Sequence, residues 1–185
     1  MRDVALYLLT SLDGAVDNPD RYFPETDRPG PPVFDEVLIG LENEMIARQD
    51  VSLLGRGMYD EWSRYWPTST EEPFATFINT VRKYVVTSTP LTTPWTNAEA
   101  VSDVAELLRD LKAQPGGEIC VHGSITLAKS MLADGLIDVI HLAVGRVLDP
   151  DGRRLFDAVG HRQVLDLVRA VPTPSGSLWL TYRVN

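Results

Sequence analysis

Gly116-Gly117-Glu118-Ile119-Cys120-Val121-His122-Gly123-Ser124-Ile125-Thr126-Leu127-Ala128-Lys129-Ser130-Met131-Leu132 is the stretch that decides the fold. Glu118 to His122 reads as a short buried strand, and Gly123-Ser124 as a tight break. A helix follows, with Ala128, Met131 and Leu132 spaced to share one face. Ser124 is expected to cap it, its hydroxyl accepting from a free N–H of the first turn. Gly135 suits a left-handed stop, and a second apolar strand runs from Asp138 to Val144. Strand, glycine turn, helix, strand is a βαβ unit. The glycine lets a ligand approach the backbone, and the helix N-terminus offers N–H groups and partial positive charge to a phosphate. An ordinary capped crossover explains the same residues, because one Gly-Ser turn falls short of a full G-x-G-x-x-G fingerprint.

Outward from this unit, the pattern repeats. Val4 to Leu9 is apolar at every position, as a central strand covered on both sides requires. It runs into Ser11-Leu12-Asp13-Gly14, a turn signal at a strand end where open α/β sheets bind ligands. Asn18 to Pro32 reads as a surface loop. Phe34 to Arg48 reads as a helix with Val37, Leu38, Leu41, Met45 and Ile46 inward, and Asp35 and Glu36 favour its dipole. Val51 to Leu54 is a second buried strand ending in Gly55-Arg56-Gly57, where an arginine fork suits a phosphate. Trp62, Tyr65 and Trp66 pack near the helix that follows. Phe74 to Thr80 is helical, and Lys83 to Ser88 is a third strand ending in the hydroxyls of Thr87 and Ser88. Val101 to Lys112 reads as an amphipathic helix. After a loop from Arg146 to Phe156, Gln163 to Val171 and Leu178 to Val184 form a hairpin around Pro172 to Gly176. The order predicts an α/β domain over 1–185: a three-layer α/β/α sandwich with a mostly parallel central sheet and a C-terminal antiparallel hairpin.

Composition narrows the function. The chain has 185 residues, 44% hydrophobic and 23% charged, which suits one globular domain. A net charge of -9 disfavours nucleic acid and anionic membranes as partners. Cys120 is the single cysteine, so no internal disulfide forms, and mid-strand it reads as a small core residue. The Val4–Leu9 run is too short to span a bilayer and leads to no cleavage site, so a cytoplasmic protein is expected. The three histidines have no metal-ligand spacing: His122 adjoins the Gly-Ser turn, His141 is mid-strand, and His161 falls in a loop. Three strand ends, Gly55-Arg56, Thr87-Ser88 and Gly123-Ser124, carry phosphate-friendly residues along one sheet edge, where an extended dinucleotide can span them.

Taken in order, Ser11-Leu12-Asp13-Gly14, Leu54-Gly55-Arg56-Gly57-Met58-Tyr59, Tyr65-Trp66-Pro67, Lys83 to Ser88, His122-Gly123-Ser124 and Gly135 to Asp138 resemble the dihydrofolate reductase-like fold. The likeness is to the stand-alone relatives of the riboflavin-biosynthesis reductase (RibD C-terminal) domain. The resemblance implies an NADPH-dependent reductase, similar to 5-amino-6-(5-phosphoribosylamino)uracil reductase, acting on a small heterocyclic or carbonyl substrate, and a homodimer. It implies that Arg56 and the hydroxyls of Thr87 and Ser88 serve the adenosine 2′-phosphate, that Gly123, Ser124, Ile125 and Thr126 hold the pyrophosphate, and that Gly55 belongs to the cofactor site. Ser11 and Gly14 then lie near the nicotinamide, with Asp13 the candidate for orienting substrate or relaying a proton. The chain departs from the riboflavin-pathway pattern at Ala15, where a lysine is usual. It departs from folate reductases at Ala143, where a threonine assists a buried acid. A non-catalytic nucleotide or small-ligand binding protein that retains the fold is the alternative.

Overall fold

In the computed structural model of the chain, β1 (Val4–Thr10) lies in the interior of an eight-stranded sheet. The structure describes residues 1–24, 33–158, 160 and 162–185; the remainder of the expected surface loop (25–32) and His161 lie outside them. Val4, Ala5 and Leu6 are fully buried, as a strand covered on both faces must be. β1 pairs in parallel with β5 (Glu118–His122) on one side and β6 (Val139–Val144) on the other. Beyond β5 stand β2 (Gln49–Gly55), β3 (Arg82–Val86) and β4 (Ala98–Val101), also parallel. Beyond β6 stand β8 (Leu178–Val184) and then the edge strand β7 (Leu165–Pro172), both antiparallel to their neighbours. The order is β4-β3-β2-β5-β1-β6-β8-β7.

Helices occupy both faces. A four-residue helix, α1 (Pro19–Tyr22), follows β1. α2 (Glu36–Ile46), α3 (Arg56–Tyr65) and α4 (Phe74–Thr80) pack on one face; α5 (Val104–Lys112) and α6 (Ile125–Ala133) pack on the other. The alternation of β1 sorts its side chains accordingly: Leu6 and Leu8 meet the α6 layer, Ala5 and Tyr7 the α2 layer. The expected sandwich and C-terminal hairpin are both present. No described helix is long and apolar enough to cross a membrane.

Three local expectations are corrected. Val37 is 38% exposed rather than inward, because the α2 stripe runs through Leu38, Leu41 and Met45. The helix expected from Val101 starts at Val104; Ala98 to Val101 is instead the edge strand β4. Its Ala-Glu-Ala-Val sequence has little strand preference, and main-chain pairing to β3 holds it. Ser124 does not cap α6 with its side chain.

α2 is tied to the far end of the chain. The Asp35 carboxylate accepts from Val37 N and Leu38 N as a cap, and also from Ser175 N at 2.9 Å. Those N–H groups and the Thr173 and Ser175 hydroxyls outweigh the cost of burial and hold the Asp35 carboxyl low.

Lys83 is fully buried on β3. Its Nζ donates to Ile78 O and Val81 O, both at 2.8 Å, which serves carbonyls left open at the end of α4. The ammonium also lies 4.6 Å from the Trp95 ring. Burial lowers its pKa to about 8. Between that value and the unfolded value of about 10.4, the unfolded chain binds a proton that the folded chain does not. Stability should therefore rise with pH across this window. Urea unfolding from pH 7.5 to 10 should show the rise in the wild type and a flatter profile in Lys83→Met.

Candidate functional site

The chain reverses its course along the sheet between β2 and β5. After β2 it turns through α3 on one face; after β5 it turns through α6 on the other. Adjacent strands whose connections diverge in this way leave a crevice at their carboxyl ends, where open α/β sheets bind ligands. A direct hydrogen bond closes the base of this crevice: Gly55 N donates to Ser124 Oγ at 2.7 Å. The hydroxyl expected to cap its own helix instead joins one strand end to another.

Two consequences follow for α6. The N–H groups of Ile125, Thr126 and Leu127 have no partner among the described residues, and the hydrogen of the Ser124 hydroxyl has no acceptor among them. Together they form a set of donors at the positive end of a nine-residue helix. Gly123 supplies the turn in front of it at φ 64°, and a Cβ there would stand 2.8 Å from Met58 Cε. A Cβ on Gly55 would press against Ser124 at 3.4 Å. The space a side chain would take is already filled, by Met58 and Trp62 at Gly123 and by Ser124 at Gly55, so glycine serves this close packing.

Arg56 extends the chain of contacts to the third strand end. Its Nε bonds both oxygens of Asp60 at 2.9 Å, and its Nη1 reaches Thr89 Oγ1 at 2.6 Å and Pro90 O at 3.0 Å. Thr87 Oγ1 accepts from Thr89 N at 3.2 Å, closing a local turn, and Ser88 is exposed. Thr89 thus links Arg56 to Thr87, beside the separate bond of Gly55 to Ser124, with Nη2 of Arg56 unpartnered among the described residues. Asp60 and Thr89 were not singled out in the sequence. Asp60 was findable, since it stands at i+4 from Arg56 on one helix face.

The end of β1 forms a separate knot. Ser11, 1% exposed, donates from Oγ to Asp13 Oδ1 at 2.6 Å and accepts from Ala15 N at 2.8 Å. Gly14 turns the chain at φ 90°. Asp13 also accepts from Asp149 N at 2.9 Å and from Arg154 at 2.7 Å. The Asp149 N–H, the Ser11 hydroxyl and the Arg154 guanidinium hold its carboxyl below the usual carboxylate range. Asp13 is therefore an ionised acceptor that pins the 149–154 loop to the strand end; a proton donor at neutral pH needs the opposite shift. Arg21 joins the knot through Asp149 Oδ1 at 2.8 Å. Asp149 and Arg154 lie 136 and 141 residues beyond Asp13, and no spacing announces them.

His122 does not reach the crevice. It is 1% exposed in the α2 layer, bonded to Gln49 Oε1 at 2.9 Å, and burial pushes its imidazole down to about 3. His141 bonds Thr181 Oγ1 through Nδ1 at 3.0 Å. Cys120 is buried as expected. Among the described residues no three His, Cys, Asp or Glu side chains converge as metal ligands. Open concavities also lie away from the strand ends, along Arg82, Asn97 and Glu99 and around Tyr59 and Trp95; neither contains a residue foreseen for chemistry.

Comparison with known proteins agrees with this fold. The model of the RibD C-terminal domain family matches residues 2–178. The Bacillus subtilis (strain 168) uncharacterized protein YyaP is 27% identical over 146 residues, 77% of this chain and 78% of that protein. A pyrimidine reductase-like protein of Corynebacterium diphtheriae superposes with a TM-score of 0.66 at 13% identity, covering 100% of this chain and 92% of that one. The Thermotoga maritima diaminohydroxyphosphoribosylaminopyrimidine deaminase/5-amino-6-(5-phosphoribosylamino)uracil reductase gives 0.67 at 16% identity; all of this chain matches 57% of that larger one. At these identities the two structures establish the shared fold.

The bond between strand ends is open to direct test. Ser124→Ala leaves the Gly55 N–H without its partner, and should cost about 1–3 kcal/mol in urea unfolding. A loss of only a few tenths would mean that water replaces the hydroxyl.

Proposed function

The chain belongs to the RibD C-terminal domain family, and from that membership we propose that it is an NADPH-dependent reductase of a small heterocyclic or carbonyl substrate. The observation that carries the reading is the linked set of donors at the β2/β5 crevice. NADPH supplies the hydride when bound; the residues here bind, orient and exclude water. They fit such a group. The free N–H groups of Ile125, Thr126 and Leu127 and the Ser124 hydroxyl suit a pyrophosphate. Arg56, held by Asp60 in a fixed plane beside Thr87 and Ser88, presents Nη2 to a 2′-phosphate. The knot of Ser11, Asp13, Gly14 and Arg154 fixes the neighbouring strand end, where the nicotinamide and substrate meet. Asp13 orients this wall.

Titration of the purified chain with NADPH and NADH, followed by protein fluorescence, tests the reading. NADPH should bind more tightly, and Arg56→Ala should weaken NADPH about tenfold, as expected for a hydrogen bond to a charged group, with little effect on NADH. Equal weakening of both would remove Arg56 from 2′-phosphate recognition. No binding of either at millimolar concentration would overturn the proposal. Tight NADPH binding with no oxidation across a panel of heterocyclic acceptors would favour the binding-protein alternative.

We also propose that the partner is a second copy of this chain. The sheet face opposite α2 is bare over β8 and β7, where Leu180 and Tyr182 are half-buried, Leu167 is 57% exposed, and Val168 at the bulge is 62% exposed. Leu167 and Val168 are exposed apolar side chains on the edge strand, and antiparallel apposition of two β7 strands would bring them together. Sedimentation equilibrium at micromolar concentration should give a dimer for the wild type and a monomer for Leu167→Lys. A monomeric wild type would sink this assembly.

A further inference from the structure

We propose that Asp60 sets the cofactor preference of this site: it fixes Arg56 in place and cancels most of the charge that the arginine offers to a 2′-phosphate. The inference rests on the NADPH reading above. It goes beyond that reading because it concerns how strongly a 2′-phosphate is told from a bare ribose hydroxyl.

It begins from an arrangement that helix stability does not explain. Arg56 is the first residue of α3, and Gly55 before it supplies no side-chain cap. The first turn of α3 contains no acidic residue. The positive end of a helix dipole favours an acid there and disfavours a cation. Asp60 stands four residues further on, so the pair runs arginine first and acid second. That is the reverse of the order that best supports a helix. Both side chains are partly open to water, at 29% and 37% exposure, and pairs of that kind add little to stability.

The bonds around Arg56 decide what it can offer a ligand. A guanidinium carries five N–H hydrogens in one plane. The Nε hydrogen is shared between Asp60 Oδ1 and Oδ2, both at 2.9 Å. The Nη1 hydrogens go to Thr89 Oγ1 at 2.6 Å and Pro90 O at 3.0 Å. Two hydrogens remain, both on Nη2, with no acceptor among the described residues. Every pair of nitrogens on the guanidinium therefore includes one already committed. A phosphate meets Nη2 alone, without the two parallel bonds of a full fork. The charge is committed as well, because the Asp60 carboxylate forms an ion pair with the same group. Thr89 Oγ1 accepts from Nη1 and lies 3.1 Å from Thr87 Oγ1, so the same contacts reach the Thr87 hydroxyl.

The acid acts on the two cofactors unequally. A 2′-phosphate gains a charged hydrogen bond from Nη2 but meets a cation whose charge is already matched. A ribose 2′-hydroxyl is uncharged and feels Asp60 little. The site thus takes NADPH ahead of NADH by a modest factor, and the same arginine without its acid would widen the gap. Asp60 is a positioning residue that also limits specificity.

The test is the ratio of NADPH to NADH affinity, by fluorescence titration of the wild type and Asp60→Asn. The side-chain oxygen of the amide still accepts from Nε, so the variant keeps the anchor and loses the charge. NADPH affinity should rise about fivefold relative to NADH, the scale expected for one surface charge acting on a doubly charged group. An acid that only holds Arg56 in place gives the opposite result, a lower ratio as the arginine loosens. Salt supplies a second readout. NADPH binding should weaken more steeply with ionic strength in Asp60→Asn than in the wild type, because more uncancelled charge is screened. An unchanged or lower ratio, or parallel salt profiles, overturns the proposal. The wild-type titration separates the failures. NADPH binding by the wild type with no higher ratio in the variant sinks this inference alone, whereas no binding of either cofactor sinks the reductase reading beneath it.

Discussion

The hydrogen bond from Gly55 N to Ser124 Oγ holds together the place where the chain changes direction across its sheet. β2 and β5 are neighbours in space but are separated in sequence by three α-helices and two strands. Their connections leave on opposite faces, so nothing covalent keeps their ends in register above the last main-chain pair. Ser124 does so with one oxygen. In the same act it gives up capping its own helix and leaves the first turn of α6 with N–H groups to spare. Structural closure and anion affinity come from one choice, since a serine that capped α6 would have satisfied part of the site internally.

Much of this was legible. β5 and β8 were read with their observed bounds, and β1 to within a residue at its end, because burial on two faces or alternation on one leaves a clear period. The convergence of three strand ends was also readable, because parallel topology puts them on one edge. Partner choice was not. A serine after a glycine turn looks the same whether its hydroxyl turns toward its own helix or toward β2. Asp13 looked like free chemistry at a strand end, yet Arg154, 141 residues later, and the Asp149 N–H claim it. β4 was missed because an edge strand held by main-chain bonds needs no apolar side chains.

The two faces of the sheet are built on different principles. The α5/α6 side is a mostly aliphatic core, where Leu, Ile, Val and Met fill the space beside Tyr84. The α2 side interleaves rings with titratable groups and leaves nitrogens unsatisfied. Polar interiors of this kind lower stability and persist where they serve a site. The stable face carries the scaffold, and the costly face lies beneath the strand ends where Ser11 and Asp13 stand.

The Asp35–Ser175 bond bears on the order of folding. It joins residues 140 apart. During synthesis the N-terminal half emerges first, but α2 cannot be fixed in place until the final hairpin has formed. β1, likewise, waits for β5 and β6 on either side. Contacts of such long range make folding slow. The α2 side of the sheet should be the last part of a nascent chain to become ordered, and the part most dependent on an intact C-terminus.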